Sequence, residues 1–180
     1  MKTIVIAALL SFISAPALAA KAGQYYGAAD FGSATYSGLP GCSNPNVIRI
    51  AGGYHFSPVF GVELGYSMFG DSETIDPTFG PARISASSFQ VAAVGYLPLS
   101  RQFDLIGKLG LASNYEDYSD ASGGYSSFSQ SDLLVGVGAQ FNVNSQVSVR
   151  VLYDDYGKFD NLFPPMKATS FSVGMVYNFY

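Results

Sequence analysis

The sequence predicts an all-β fold, an eight-stranded antiparallel up-and-down barrel that crosses a membrane with its strands. Two observations predict it. Large apolar residues alternate with small or polar ones in eight separate segments, which is the period of a strand with two unlike faces. The connections between these segments are alternately short and long, which is typical of transmembrane barrels, where turns lie on one side of the membrane and loops on the other.

The first residues have the pattern of an export signal. Lys2 precedes an apolar run from Ile4 to Ile13, and Ala17-Leu18-Ala19 follows it with small residues at the spacing of a cleavage site. The apolar run is shorter than the roughly 20 residues that a transmembrane helix needs. We therefore expect residues 1–19 to be a cleaved signal peptide and residues 20–180 to form a single barrel domain.

The eight predicted strands follow one another along the rest of the chain. Their ranges are 24–34, 46–57, 59–70, 84–97, 102–113, 131–142, 146–156 and 168–179. The short connections fall at residues 57–58, 98–101 and 142–145, and the long ones, rich in Gly, Ser, Pro and Asp, at residues 35–45, 71–83, 114–130 and 157–167. This arrangement predicts periplasmic turns, extracellular loops and two periplasmic termini in a bacterial outer membrane.

The fourth strand fits two registers. Phe89, Val91 and Ala93 alternate in one register, and Ala92, Val94 and Tyr96 alternate in the other. The pattern is consistent with a bulge, or with an irregular end near Pro98.

The last strand has the clearest alternation. Small or polar residues separate its large ones, which are Phe171, Val173, Met175, Tyr177 and Phe179, and the chain ends on Tyr180. A soluble barrel such as a lipocalin also alternates, but it turns its apolar face inward. In this chain the ionisable residues of several strands fall on the face opposite the apolar one, which favours lipid outside the barrel.

Charged residues share the inward face although each is placed from its own strand. They are Asp30, Arg49, Glu63, Lys108 and Arg150. A charge that faces the lipid midplane costs roughly 2 to 4 kcal/mol, whereas an inward charge can pair with its opposite. We expect a lumenal network of these two acids and three bases, with Gln140 and Tyr26 as neutral members. The network either fills and rigidifies the lumen or forms a gate over a narrow ion path.

The sequence predicts no catalytic site, metal site or cofactor. A lipid A hydrolase would need a nucleophile and a base, and the one histidine, His55, lies near Ser57. Both fall at the periplasmic end of their strand, away from the outer leaflet where lipopolysaccharide lies. The sequence contains neither a Gly-rich phosphate loop nor a Cys/His cluster. Its formal net charge of −4 argues against a nucleic-acid partner.

The predicted loops carry most of the acids and the single cysteine. The acids are Asp71, Glu73 and Asp76 in the second loop, Glu116, Asp117 and Asp120 in the third, and Asp154, Asp155 and Asp160 around the fourth. They form either a solvated surface or a surface that contacts lipopolysaccharide, through divalent cations, or an extracellular receptor. Cys42 is either an isolated loop thiol or the site of an intermolecular disulfide.

Several segments together resemble the transmembrane domain of the OmpA family. They are residues 52–66, 89–98, 104–110, 149–153 and 172–179, and the resemblance extends over nearly all of residues 20–180. The chain is equally similar to small stand-alone barrels of the NspA and opacity type. The resemblance implies a lumenal salt bridge between Glu63 and Arg150, with Lys108 as a further inward base. Gln140 and Ala93 stand where the family has a second lumenal Glu and an inward Lys.

The same resemblance implies that the C-terminal strand is the signal read by the barrel-assembly machinery, with Phe179 and Tyr180 at its end. We expect an integral outer-membrane protein with a structural or surface-interaction role and no enzymatic activity. Its expected partners are outer-membrane lipid, lipopolysaccharide, the assembly machinery and an extracellular receptor. The alternatives are a small ion-conducting porin with a Glu63/Arg150 gate and, more distantly, a lipid A modifying hydrolase.

Overall fold

The computed structural model describes residues 22–37, 44–76, 80–120, 125–159 and 166–179. The predicted signal peptide, Cys42 and Tyr180 lie outside these residues. None of the described residues belongs to a helix that is long and apolar enough to cross a bilayer.

Eight antiparallel strands form a closed barrel in chain order, which confirms the predicted fold class. The strands are β1 (Gln24–Ser37), β2 (Asn46–Ser57), β3 (Phe60–Asp76), β4 (Gly80–Pro98), β5 (Phe103–Asp120), β6 (Tyr125–Asn142), β7 (Val147–Phe159) and β8 (Met166–Asn178). The first and last strands pair from Tyr26↔Asn178 to Ser37↔Lys167 and so close the barrel. Closure leaves no free edge in the membrane, where an unpaired backbone group would be costly.

The outer surface of the barrel is a continuous belt of exposed apolar side chains, which we call the lipid band. On β5 the band runs from Phe103 to Leu111, and the next outward positions are Ser113 and Tyr115. On β6 the lipid band ends at Leu133. The outward residues beyond this end of the band are Ser131 and Ser129. The alternation seen in the sequence therefore separates lipid from lumen.

Two of the predicted long loops are largely strand, which corrects the sequence-based boundaries. β3 and β4 remain paired as far as Asp76↔Gly80, and β5 and β6 as far as Ser119↔Tyr125. These segments lie beyond the lipid band, so their outward side chains do not have to be apolar. Because lipid no longer requires an apolar residue at every second position, the period-two signal disappears although the strands continue.

The fourth strand has one register. Phe89, Val91 and Ala93 are exposed, whereas the side chains between them point into the lumen. The described β4–β5 ladder runs from Ala82↔Asp120 to Pro98↔Asp104 without a register shift, so the expected irregularity near Pro98 is wrong. The shift lies in the β3–β4 ladder instead, between Phe69 and Ser72. Ala93 therefore cannot take the place of an inward lysine.

Candidate functional site

The lumen is filled by side chains that form three layers. Polar and aromatic residues fill the periplasmic end, charged residues the middle and apolar residues the extracellular end. Eight strands leave an interior that side chains can fill.

Arg150 is the centre of the charged layer. Its Nε and Nη2 donate to the two carboxylate oxygens of Asp30 at 2.8 and 2.7 Å, and its Nη1 donates to Glu63 Oε2 at 2.7 Å. The side chains of all three residues are at most 2% exposed. A planar guanidinium that bridges two carboxylates fixes three strands relative to one another.

Arg49 and Lys108 complete the layer. Arg49 Nη1 donates to Asp30 Oδ2 at 2.9 Å, and its Nη2 pairs with Glu63 Oε1. Lys108 Nζ lies 3.4 Å from Glu63 Oε1 and 3.1 Å from Asp154 Oδ1. The structure thus brings the five predicted charged residues together.

Two members of the charged layer were missed by the sequence analysis. Asp154, predicted to be a loop acid, is buried and pairs with Lys108, which balances three acids with three bases. Its even number on β7, four residues after Arg150, could have placed it on the inward face. Gln90 accepts from Arg49 Nε at 3.1 Å, and the uncertain register of β4 concealed it.

The predicted neutral members differ in their outcome. Tyr26 donates its hydroxyl to Glu63 Oε2 at 3.1 Å and so contacts the charged layer. Gln140 donates instead to Asn142 Oδ1 at 2.9 Å, and Asn142 donates to Asp104 at 2.7 Å. Gln140 therefore belongs to the periplasmic layer, and its predicted place in the charge network is wrong.

His55 lies in the periplasmic layer, packed against aromatic rings. Its ring centroid is 4.7 Å from that of Tyr26 and 5.1 Å from that of Tyr96. Ser57 Oγ accepts a hydrogen bond from the Val59 backbone N–H at 3.3 Å. These contacts give both residues packing and turn-stabilising roles. Within the described ranges, no group of three or more His, Cys, Asp or Glu side chains could hold a metal ion.

An apolar layer covers the charged layer on its extracellular side. The largest side chains are those of Phe69 and Tyr156, whose rings meet edge to face at 5.3 Å, and Leu134, which has no exposed area. Smaller residues, among them Val47, Ala34 and Ala168, fill the remaining space. The charged layer is thus shielded from the extracellular solvent.

The extracellular mouth of the lumen contains a buried acid, Glu116, which was predicted to lie in a loop. Its side chain is on the inward face of β5, beyond the end of the lipid band, and it is 5% exposed. Burial raises the pKa of the Glu116 carboxyl to about 7. Glu116 Oε1, Asn114 Oδ1 and Ser88 Oγ are buried and make no hydrogen bond within the described structure.

Beyond the lipid band, four strands project as a sheet, which we call the projecting sheet. The β5–β6 ladder continues for eight pairs after Leu111↔Leu133, up to Ser119↔Tyr125. At about 3.3 Å per residue, this adds about 26 Å of strand. The described β6–β7 ladder starts only at Val135↔Asp155, although Gly157 of β7 still lies against Asp132. The outer end of β6, from Tyr125 to Ser129, is therefore an edge of the projecting sheet in the described structure.

The last strand places its apolar face on lipid. Its large residues are 43–57% exposed: Phe171, Val173, Met175, Tyr177 and Phe179. Their role as an assembly signal stays a prediction.

Comparisons with known proteins agree with this geometry. A family model described as the outer membrane protein beta-barrel domain matches residues 5–179. No curated protein sequence matches the chain.

Solved structures show the same fold at low sequence identity. Neisserial surface protein A is 18% identical with a TM-score of 0.69, covering 86% of this chain and 97% of that one. Ail of Yersinia pestis is 18% identical with a TM-score of 0.63, covering 88% and 99%. OprG of Pseudomonas aeruginosa is 18% identical with a TM-score of 0.64, covering 91% and 99%.

Proposed function

The chain belongs to the outer membrane protein beta-barrel domain family, and on that premise we propose that it acts at the cell surface by contacting extracellular partners through its projecting sheet. It is an integral outer-membrane protein. The observation that carries the proposal is the pairing of β3 to β6 far beyond the lipid band. A barrel needs no such extension merely to span the membrane.

The edge of the projecting sheet suits recognition of an extended polypeptide. The outer end of β6, from Tyr125 to Ser129, forms no ladder pair with β7 in the described structure and is an edge of the projecting sheet. Such an edge can accept an added strand from a partner, with main-chain hydrogen bonds providing affinity. We propose a partner segment that adds to β6 as a further strand.

A relative's ligand provides a second comparison. One Ail structure contains the heparin analogue sucrose octasulfate, so a barrel of this fold can bind a sulfated ligand. The present chain has a formal net charge of −4, which disfavours a polyanion. We therefore favour a protein partner for this chain.

Shortening the β5–β6 hairpin tests this role. A variant that replaces residues 115–129 by Asn-Gly joins Asn114 to Gln130, which are already cross-strand partners, through a two-residue turn. Bacteria expressing the full chain should adhere to epithelial cells, and bacteria expressing the shortened barrel should not. A heat-dependent shift in gel mobility shows that the shortened barrel folds. Equal adhesion by both would contradict the proposal.

A small ion-conducting porin is the second candidate, and the charged layer favours it. Lys108 contacts both Glu63 and Asp154, so a shift of its ammonium group could rearrange the pairs. The apolar layer above the charges argues against an open path. In planar bilayers we expect no conductance steps from the folded chain. Reproducible steps that Glu63→Ala changes would instead support the porin.

A further inference from the structure

The extracellular mouth of the lumen contains three buried oxygen atoms that lack a hydrogen-bond partner in the described structure. They are Glu116 Oε1, Asn114 Oδ1 and Ser88 Oγ. Their residues are 5%, 1% and 0% exposed. A buried polar atom without a partner costs free energy, so three unpartnered acceptors on inward positions of two paired strands point to a ligand that they would bind.

The strand register puts these residues side by side. Ser88 on β4 and Asn114 on β5 are cross-strand partners, and both face inward. Opposed residues of an antiparallel pair have Cβ atoms roughly 4.5 to 5.5 Å apart. Glu116 is the next inward residue of β5, about 6.6 Å further along the strand. A glutamate side chain spans much of that distance.

The orientation of the Asn114 amide is set by a second contact. Its Nδ2 donates to the Tyr156 carbonyl oxygen at 3.1 Å, which leaves Oδ1 as an acceptor. A carboxylate oxygen and an amide oxygen both need a donor or a cation. Ser88 has one hydroxyl hydrogen and cannot satisfy both.

The bases of the lumen are engaged elsewhere. Arg49 and Arg150 contact Asp30 and Glu63, and Lys108 contacts Glu63 and Asp154. The cross-strand partner of Glu116 on β4 is Ala86, which carries no charge. Within the described part of the chain, no base compensates the Glu116 carboxylate.

We propose that Glu116, Asn114 and Ser88 hold a hard divalent cation of the calcium type at the extracellular mouth of the barrel. Carboxylate, amide and hydroxyl oxygens are hard ligands of the kind that calcium takes, and water completes its flexible coordination shell. With a single carboxylate, the expected affinity is that of a weak extracellular site, with a Kd of about 0.1 to 1 mM. The ion would clamp β4 to β5 at the base of the projecting sheet.

Calcium chloride added to the folded full chain in detergent tests the site. Thermal unfolding followed by circular dichroism should show a saturable rise in Tm for the original chain. Glu116→Gln keeps the shape of the side chain but removes its charge, and it should abolish the saturable rise. Asp71→Asn is the matched control, because Asp71 is an exposed acid of the projecting β3 segment, outside the cluster; it should retain the rise.

A gain-of-function variant keeps the test informative if Glu116→Gln does not fold. Ser88→Asp adds a second carboxylate beside Asn114, and Ser88 Oγ has no hydrogen bond to lose. Isothermal titration with calcium should show binding about tenfold tighter, because ligand charge tunes affinity. The proposal is overturned if calcium leaves the Tm of the original chain unchanged, if Glu116→Gln responds like the original chain, or if Ser88→Asp does not tighten binding.

Discussion

Two of the levels at which the barrel interior contains buried acids, the charged layer and the extracellular mouth, compensate them differently. In the charged layer, inside the lipid band, three acids and three bases contact one another and none is left alone. At the extracellular mouth, beyond the band, the Glu116 carboxylate is buried with no base against it in the described structure. Each charge of the first level thus has a partner of opposite sign, whereas the Glu116 carboxylate has none in the described structure.

Breaking the charged layer should have the largest effect. Arg150→Ala removes one of the two arginines that pair with both Asp30 and Glu63. It should lower the free energy of unfolding by roughly 3 to 5 kcal/mol, because three buried acids then face only two bases. Urea titration in detergent, followed by gel mobility, measures the loss. Lys167→Ala is the control: its pair with Asp155 is half-exposed on the lysine side, so water replaces the pair and the loss should be much smaller than that of Arg150→Ala. Equal losses of unfolding free energy for the two variants would show that the buried ion pairs matter no more than an exposed one.

A charge placed on the outer surface should show where the lipid band ends. Leu109 is exposed near the middle of the band on β5, so Leu109→Arg should cost roughly 2 to 4 kcal/mol. Ser129 lies on β6 beyond the band, and Ser129→Arg should cost no more than about 1 kcal/mol, because water surrounds it. Unfolding of both variants in lipid vesicles supplies the comparison. A large loss of stability for Ser129→Arg would show that the membrane also surrounds the projecting sheet.

Two glycines on β5 differ in the space that a side chain would find there. A Cβ on Gly110 would lie 2.0 Å from the Val91 carbonyl oxygen, so Gly110→Ala should cost roughly 1 to 3 kcal/mol. A Cβ on Gly107 would meet nothing within 4 Å, and Gly107→Ala should be neutral or stabilise by up to about 1 kcal/mol. Urea midpoints at constant slope measure both effects. A neutral Gly110→Ala would mean that the strands can move apart at this point.

The stability of the folded chain should depend on pH through Glu116, the buried acid of the extracellular mouth. The pKa of Glu116 is raised from 4.5 to about 7 in the folded chain. The folded state therefore binds the proton more tightly than the unfolded state, and stability falls as the pH rises from about 4.5 to about 7. In the presence of EDTA, the original chain should lose more stability over this range than Glu116→Gln does. If the stability of the two chains changes with pH in the same way, Glu116 is not the cause of the pH dependence.

The sequence predicts the membrane-spanning part of the barrel well, because lipid imposes an apolar residue at every second position. Phe171 and Val173 had to face outward, and Arg150 had to face inward, whatever their neighbours. The projecting sheet was not predicted, because it lies beyond the lipid that imposes this alternation. Ser113, Ser129 and Ser131 face water and give no alternation to detect.

Other features needed tertiary information. Asp154 was grouped with the acids around the fourth loop, although its number places it on the inward face of β7. Gln140 faces inward as expected, but period two does not say towards which end of the lumen a side chain leans. It bonds to Asn142 rather than to the charged layer. The register of β4 was fixed only by its neighbours, through pairs such as Glu63↔Ala92.

The bond between Arg150 and Asp30 also has a consequence for the folding pathway. The two residues are 120 positions apart in the chain, and the β1–β8 seam lies between their strands. Contacts of such long range form slowly, since the cost of loop closure comes before their stabilisation. Docking of the first strand against the last would thus form the Arg150–Asp30 ion pair in the same step. An intermediate that is inserted but still open would leave Asp30 paired with Arg49 but not with Arg150, so the second arginine would favour the closed barrel over partly zipped forms.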